Sequence, residues 1–124
     1  MPKLKILIMA SALLSLAHFI EEAIFNFYQT DASTKLIAGY TGISAFSLWI
    51  AAQIFLVIIY CWLWFGKERS RIIPFILLFI IFVVELHHPF EAIRLGEYVP
   101  GLITSFLFPV LGYFWITKGR AIFK

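Results

Sequence analysis

Four apolar stretches, each about as long as a membrane-spanning helix, cover most of this 124-residue chain. A helix needs about 20 largely apolar residues to cross the hydrocarbon core of a bilayer. The stretches that meet this requirement are residues 4–28, 43–65, 72–93 and 99–117. The sequence therefore predicts an all-α fold, an integral membrane four-helix bundle that forms a single domain over residues 1–124.

The composition excludes several other classes of protein. Apolar residues make up 62% of the chain and charged residues 14%, whereas soluble domains have about 45–50% and about 25%. A soluble domain, a disordered tail and an ordinary nucleic-acid-binding module are therefore not expected. The single cysteine, Cys61, excludes an internal disulfide and a cysteine-based metal site.

The basic residues predict how the chain is oriented. Lys35 and Arg94 lie on one side of the predicted spans, and the other eight lie on the opposite side: Lys3, Lys5, Lys67, Arg69, Arg71, Lys118, Arg120 and Lys124. Because basic loops stay inside, both termini should be cytoplasmic, in the plasma (inner) membrane. The N-terminal segment also looks like a secretory signal, but its apolar character continues to Tyr28, so we expect an uncleaved first span.

Ionisable side chains are concentrated in the first and third spans. They are His18, Glu21, Glu22, Glu85, His87, His88 and Glu91. Each such group costs about 2.5–3.5 kcal/mol at the centre of a membrane helix, and such groups are usually functional. Their spacings of three and four residues put each set on one helix face. Since neither face can point at lipid, we expect the two spans to be adjacent, with these faces towards each other.

The two polar segments also resemble each other. The pattern His-x-x-x-Glu-Ala-Ile occurs at residues 18–24 and again at 87–93. This repetition predicts two pseudo-symmetric two-helix hairpins with the same orientation. Within the second copy, Pro89 cannot donate a hydrogen bond to the carbonyl of Glu85, so the third span should be interrupted there.

Imidazole and carboxylate together are the ligands of zinc and of non-haem iron. We therefore predict a divalent metal, zinc or iron, bound by His18, Glu22, Glu91 and either His87 or His88. Glu21 and Glu85 are the predicted catalytic residues, which would carry protons beside the ion. Arg94 is three residues after Glu91 and can pair with it, so Glu91 is the least secure of the predicted ligands.

Two other functions are compatible with the same residues. A buried glutamate beside an imidazole can act without metal as an acid–base isomerase or cyclase. Alternatively, the polar groups belong to a structural protein or to a proton or ion transporter. A reaction at membrane depth, surrounded by many of the 14 phenylalanines, favours an apolar small molecule such as a lipid or isoprenoid as substrate. Membrane lipid is the expected partner, and nucleic acid is not.

Two short motifs carry a resemblance to a known family. Residues 18–22 read H-x-x-E-E, and residues 98–101 read Y-x-P-G. Together with a further histidine, His87 or His88, they resemble the HXXEE-domain family of small membrane proteins. The resemblance covers essentially the whole chain. It implies a membrane protein and no mechanism, because that family has no assigned activity.

Overall fold

The computed structural model of the protein describes residues 2–119, with side chains for residues 3–117. All regular structure in this part of the chain is helical, which confirms the predicted all-α class. Two of the basic residues used for the orientation, Arg120 and Lys124, lie outside the described residues, as does the side chain of Lys118.

The helices follow one another with short connections. They are α1 (Pro2–Ile24), α2 (Phe27–Thr30), α3 (Ala32–Thr41), α4 (Ala45–Phe65), a 3-10 turn (Glu68–Arg71), α5 (Ile72–Val84), α6 (His87–Leu95), α7 (Leu102–Ser105) and α8 (Phe108–Gly119). By length and composition alone, three segments could cross a membrane: Lys3–Ile24, Ala45–Phe65 and Glu68–Leu95. The fourth apolar segment, Leu102–Thr117, is shorter than these three.

The connection between α1 and α4 is more ordered than the sequence predicted. A left-handed residue, Asn26 (φ 53°), turns the chain after α1, and α2 and α3 then fill what was expected to be a loop. Asp31 caps α3, since its carboxylate accepts hydrogen bonds from both the backbone N–H and the hydroxyl of Thr34, each at 2.7 Å. Gly42 ends α3 in the left-handed conformation. Between these caps, α3 packs against α4.

The long helices share one apolar core. Helix α1 packs against α4 and α8, and α5 packs against the same two helices. Their buried side chains form one cluster: Leu7, Ile8, Leu14, Ile59, Tyr60, Leu63, Leu78, Phe82, Phe108 and Trp115. The first and third apolar segments are therefore diagonal to each other. The sequence analysis predicted that they are adjacent, and that prediction was wrong. Long side chains from both can still reach the centre, because the core is only as wide as two facing side chains.

The outward surface of these helices is apolar. Leu13 on α1 is 63% exposed, Val57 on α4 is 60% exposed and Ile103 on α7 is 68% exposed. Soluble monomers rarely leave continuous apolar surfaces of this kind in contact with water.

The third apolar segment is interrupted at Glu85 and Leu86, between α5 and α6, as Pro89 predicts. Pro89 has no N–H for the Glu85 carbonyl, which instead accepts a hydrogen bond from the His88 N–H at 3.3 Å. The interruption lies beside the polar residues of the site and determines which way their side chains point.

Candidate metal centre

Four side chains converge at one end of the apolar core, near the C-terminal ends of α1 and α5. His18 and Glu22 come from α1, one helical turn apart. Glu85 comes from the interruption between α5 and α6, and His88 from the first turn of α6. The His18 Nε2 atom is 3.4 Å from Glu22 Oε1 and 2.9 Å from Glu85 Oε2. The His88 Nε2 atom is 3.6 Å and 3.2 Å from the same two oxygens.

These separations match the spacing of ligand atoms around one small cation. Zinc is bound by imidazole nitrogen and carboxylate oxygen at about 2.0–2.2 Å, so neighbouring ligands of a tetrahedral ion are about 3.3–3.5 Å apart. The four nitrogen–oxygen distances are 2.9, 3.2, 3.4 and 3.6 Å. The ligand atoms of His18, Glu22 and His88 all lie within 4.8 Å of one another, in a group that does not include Glu85.

Three of the converging atoms are buried and have no hydrogen-bond partner among the described residues: His18 Nε2, Glu85 Oε2 and His88 Nε2. A buried polar atom without a partner costs about 1–3 kcal/mol, and more when charged. Native proteins keep such atoms rare. Glu85 Oε2 lies 2.9 Å from His18 Nε2 and 3.2 Å from His88 Nε2, so protons on the imidazoles or a shared cation would each satisfy these atoms.

A chain of hydrogen bonds fixes the tautomer of His18. The Thr104 hydroxyl donates its single proton to Glu21 Oε2 at 2.6 Å, because a carboxylate can only accept. The same hydroxyl lies 2.6 Å from His18 Nδ1 and therefore accepts the Nδ1 proton. In a neutral ring, Nε2 then carries the lone pair and faces the carboxylates of Glu22 and Glu85, whereas in a protonated ring it would donate to them. Metal-binding histidines are held in this way by a hydrogen bond at their second nitrogen.

Glu22 is oriented by a third helix. The Trp49 indole N–H, from α4, donates to Glu22 Oε2 at 2.8 Å. This bond occupies one carboxylate oxygen and leaves Oε1 for the cluster. The Trp49 ring is itself held in place by packing, since Phe19 stacks on it with ring centroids 4.7 Å apart.

Glu21 faces away from the cluster and anchors the chain that leads into α7. Its two oxygens accept hydrogen bonds from the Tyr98 hydroxyl at 2.5 Å, the Ile103 N–H and Thr104 N–H at 3.0 Å, and the Thr104 hydroxyl. Glu21 thus holds residues 98–104 against α1. The structure gives this predicted catalytic residue four donors and no direct contact with Glu85, the other one.

Gly101 lies directly against the two imidazoles. Its φ is +88°, and a Cβ atom there would be 2.6 Å from His18 Cε1 and 2.8 Å from His88 Cε1. Any side chain at this position would collide with both rings. The two motifs in the sequence therefore form one unit: Tyr98 bonds Glu21, and Gly101 makes room for His18.

His88, and not His87, completes the central cluster. His88 is fully buried, and its ring meets that of His18 edge-on at 4.9 Å between centroids. His87 points the other way, with Nδ1 at 2.9 Å from the Val84 carbonyl and Nε2 at 3.7 Å from Asp31 Oδ1. His87 still shares a second group with Glu85 and His88, in which the ligand atoms lie within 4.8 Å.

Asp31 holds its charge beside His87. Burial opposes ionisation of this carboxyl, but hydrogen bonds from His87 and Thr34 outweigh that effect and lower the pKa of Asp31 to about 2. The burial of this cap residue depends on how α3 packs, for which the sequence has no local signal.

Glu91 is the predicted ligand that the structure leaves out of the cluster. Its carboxylate accepts a hydrogen bond from Arg94 at 2.9 Å, as the spacing predicted. Glu85 is three residues before His88, as Glu91 is three residues after it. Glu85 takes the place in the cluster that was predicted for Glu91. The two copies of His-x-x-x-Glu are therefore not equivalent, since Glu22 is in the cluster and Glu91 pairs with Arg94 outside it.

Two contributors to the site have only weak signals in the sequence. Trp49 and Thr104 lie in apolar stretches far from H-x-x-E-E, and nothing local marks them as partners of Glu22 and His18. Thr104 does stand out as one of few polar residues in its stretch, which could have nominated it.

Comparison with known proteins gives one result. A family model described as "Protein of unknown function with HXXEE motif" matches residues 9–116. No curated protein and no solved structure matches the chain.

Proposed function

Since the chain belongs to the HXXEE-motif family, whose function is unknown, its role must be inferred from its own residues. We propose that it is a multi-pass membrane protein that holds one divalent ion, zinc or iron, between His18, Glu22, Glu85 and His88. We further propose that the ion serves an enzyme acting on an apolar substrate within the bilayer.

The apolar exterior supports the membrane assignment. Three helices have the length and composition of membrane spans, and large hydrophobic side chains cover their outer faces. The shorter apolar segment Leu102–Thr117 would form a fourth crossing beside them, in the predicted four-helix bundle. The eight-to-two distribution of basic residues then directs both termini to the cytoplasm.

The observation that carries the metal proposal is the convergence of buried, unbonded lone pairs on one point. Two carboxylates and two neutral imidazoles carry a total charge of −2, which a divalent cation neutralises. With neutral imidazoles and no cation, two ionised carboxylates that are both largely buried would be strongly destabilising. The mixed nitrogen and oxygen ligand set favours zinc or iron over calcium or magnesium.

Catalysis requires a ligand position that a substrate can occupy. Glu85 is the natural one to give way, because its side chain is 20% exposed while those of Glu22 and His88 are 5% and 0% exposed. An ion bound more firmly by the other three residues could then polarise an oxygen atom of the substrate.

Elemental analysis of the protein, purified in detergent without chelators, tests the proposal. We expect one zinc or iron per chain, and we expect His88→Ala, which removes a fully buried proposed ligand, to lower the metal content severalfold. Glu91→Gln is the matched control on the same segment and should retain the ion, because Glu91 pairs with Arg94. Metal-free protein that gains no thermal stability when zinc or iron is added would contradict the proposal and favour metal-free acid–base chemistry.

A further inference from the structure

An apolar cavity of about 630 Å³ lies between α1 and α4. All of its lining residues come from these two helices, and most are large aliphatic or aromatic side chains such as Leu16, Phe19 and Val57. Leu16 and Val57 are also more than half exposed on the outer surface of the helices. The cavity therefore opens sideways, towards the hydrocarbon of the bilayer. Its volume is typical of a site for one small molecule.

A second cavity lies between this cavity and the proposed metal centre. This second cavity, of about 250 Å³, is lined by His18 and Glu85. It shares Ser15, Gln53 and Leu56 with the first. A molecule whose apolar part lies between α1 and α4 would thus have its end next to two of the four proposed ligands.

The proposed centre also borders a cavity that has several polar lining residues. This third cavity, of about 470 Å³, is lined by Glu22, Glu85, Asp31, Thr34 and His87 among others. Residues of α3 line it, so it lies at the end of the long helices where the chain connects α1 to α4. The proposed ion is therefore at the boundary between an apolar cavity and a polar one.

Gln53 is at the junction of all three cavities, since it lines each of them. It is the only amide side chain in α4, and it makes no hydrogen bond in the part of the chain that the structure describes. Keeping an amide unpaired in apolar surroundings is costly. A polar group of a bound molecule at this junction would satisfy it.

We infer that the site binds an amphiphile with one long apolar chain and a small oxygen-bearing head group. The chain lies between α1 and α4, and the head passes Gln53 to bind the ion in exchange with Glu85. This inference rests on the proposed metal centre, since the ion is what holds the head group.

Two hydroxamates that differ only in chain length test this inference. Dodecanohydroxamic acid and acetohydroxamic acid carry the same metal-binding head, and their binding is followed through the visible absorption of Co(II) loaded into the purified protein. We expect Leu16→Trp to fill the α1–α4 cavity and to weaken dodecanohydroxamate at least tenfold. It should leave acetohydroxamate unchanged.

The matched control is Leu13→Trp. Leu13 is on the same helix and is also more than half exposed, but it does not line the cavity, so both hydroxamates should bind this variant within twofold of the wild type. Comparing variants in one detergent cancels the partitioning of the long probe into micelles. Val57→Trp, on the other wall of the cavity, gives the deciding result if Leu16→Trp does not fold.

The outcomes separate the two proposals. Failure to take up Co(II) would overturn the metal centre and the inference that rests on it. Uptake of Co(II) with equal effects of Leu16→Trp and Leu13→Trp on the long probe would leave the metal centre intact. It would overturn the amphiphile site and indicate that ordinary bilayer lipid merely fills the cavity.

Discussion

At the scale of single residues, one hydroxyl group determines how His18 can bind. Thr104 accepts the Nδ1 proton of His18 and donates its own proton to Glu21. The residues of the motif H-x-x-E-E therefore have separate roles. His18 and Glu22 face the proposed ion, and Glu21 binds Thr104, which sets the tautomer of His18. Two adjacent glutamates thus have different roles, because successive residues on a helix point about 100° apart.

Thr104→Val should weaken the proposed metal site without removing a ligand. Loss of the hydroxyl frees the His18 ring to rotate and change tautomer, and such changes typically cost about 10–100-fold in metal affinity. Competition with a chelator of known affinity measures the effect. Thr104→Ser should restore most of the affinity. Thr117→Val is the control, since the Thr117 hydroxyl bonds only backbone carbonyls at an exposed position. Equal affinities for Thr104→Val and Thr117→Val would refute this role.

Gly101→Ala should both destabilise the protein and disrupt the site. The new Cβ would collide with the rings of His18 and His88 and would also occupy a left-handed conformation, which alone costs about 1–3 kcal/mol. Gly96→Ala separates the two effects, because Gly96 has φ +69° and open space around it. Thermal melts and metal analysis should show a loss of stability in both variants and a loss of metal in Gly101→Ala alone. Full metal content in Gly101→Ala would show that the glycine is not needed for ring packing.

At the scale of elements, the short helix α7 is attached to α1 through one carboxylate. Glu21 accepts the N–H groups of Ile103 and Thr104 at the start of α7, where a helix leaves its donors unsatisfied. Tyr98 adds a third donor from the preceding loop. This attachment brings Gly101 and Thr104 to the histidines, so the geometry of the site depends on it.

Tyr98→Phe should lower stability while the ion stays bound. The change deletes one hydrogen bond to a charged, partly buried acceptor, which is worth about 1.5–3 kcal/mol. Tyr113→Phe is the matched control, because Tyr113 is 64% exposed and should tolerate the change within about 0.5 kcal/mol. Chemical denaturation compares the two. If they unfold alike, Tyr98 does not hold the loop.

The helices themselves were largely predictable, and the pairing of their side chains was not. Apolar length located the long helices, and Pro89 located the interruption between α5 and α6. The spacing predicted that Arg94 pairs with Glu91, but the presence of Glu85 in the cluster was missed, because it depends on the direction of α6 after that interruption. Trp49 and Thr104 were missed as partners because they approach through the packing of separate helices, for which the local sequence has no periodic signal.

At the scale of the whole molecule, the polar cluster has an apolar exterior around it. Large hydrophobic side chains point outwards along α1, α4, α5 and α8, while the ionisable groups of the spans point inwards or towards one end. This is the arrangement expected when the solvent is a bilayer, because charged groups avoid lipid and the backbone is satisfied within helices.

Single-cysteine labelling in intact cells tests the proposed topology. In a Cys61→Ala background, Ser33→Cys on α3 should react with a membrane-impermeant maleimide, and Glu68→Cys in the 3-10 turn should react only after the cells are permeabilised. Both positions are exposed on the protein surface, so accessibility within the fold does not distinguish them. The reverse pattern would place the basic residues outside and contradict the predicted orientation.

The metal centre itself is tested most directly by X-ray absorption spectroscopy on the purified protein at the edge of its bound metal. We predict one ion per chain, with a first shell of nitrogen and oxygen atoms at about 2.0–2.1 Å and with the multiple scattering of two imidazoles. His88→Ala should remove one imidazole contribution or the ion as a whole. A spectrum without imidazole scattering, or a protein without bound metal, would contradict the account.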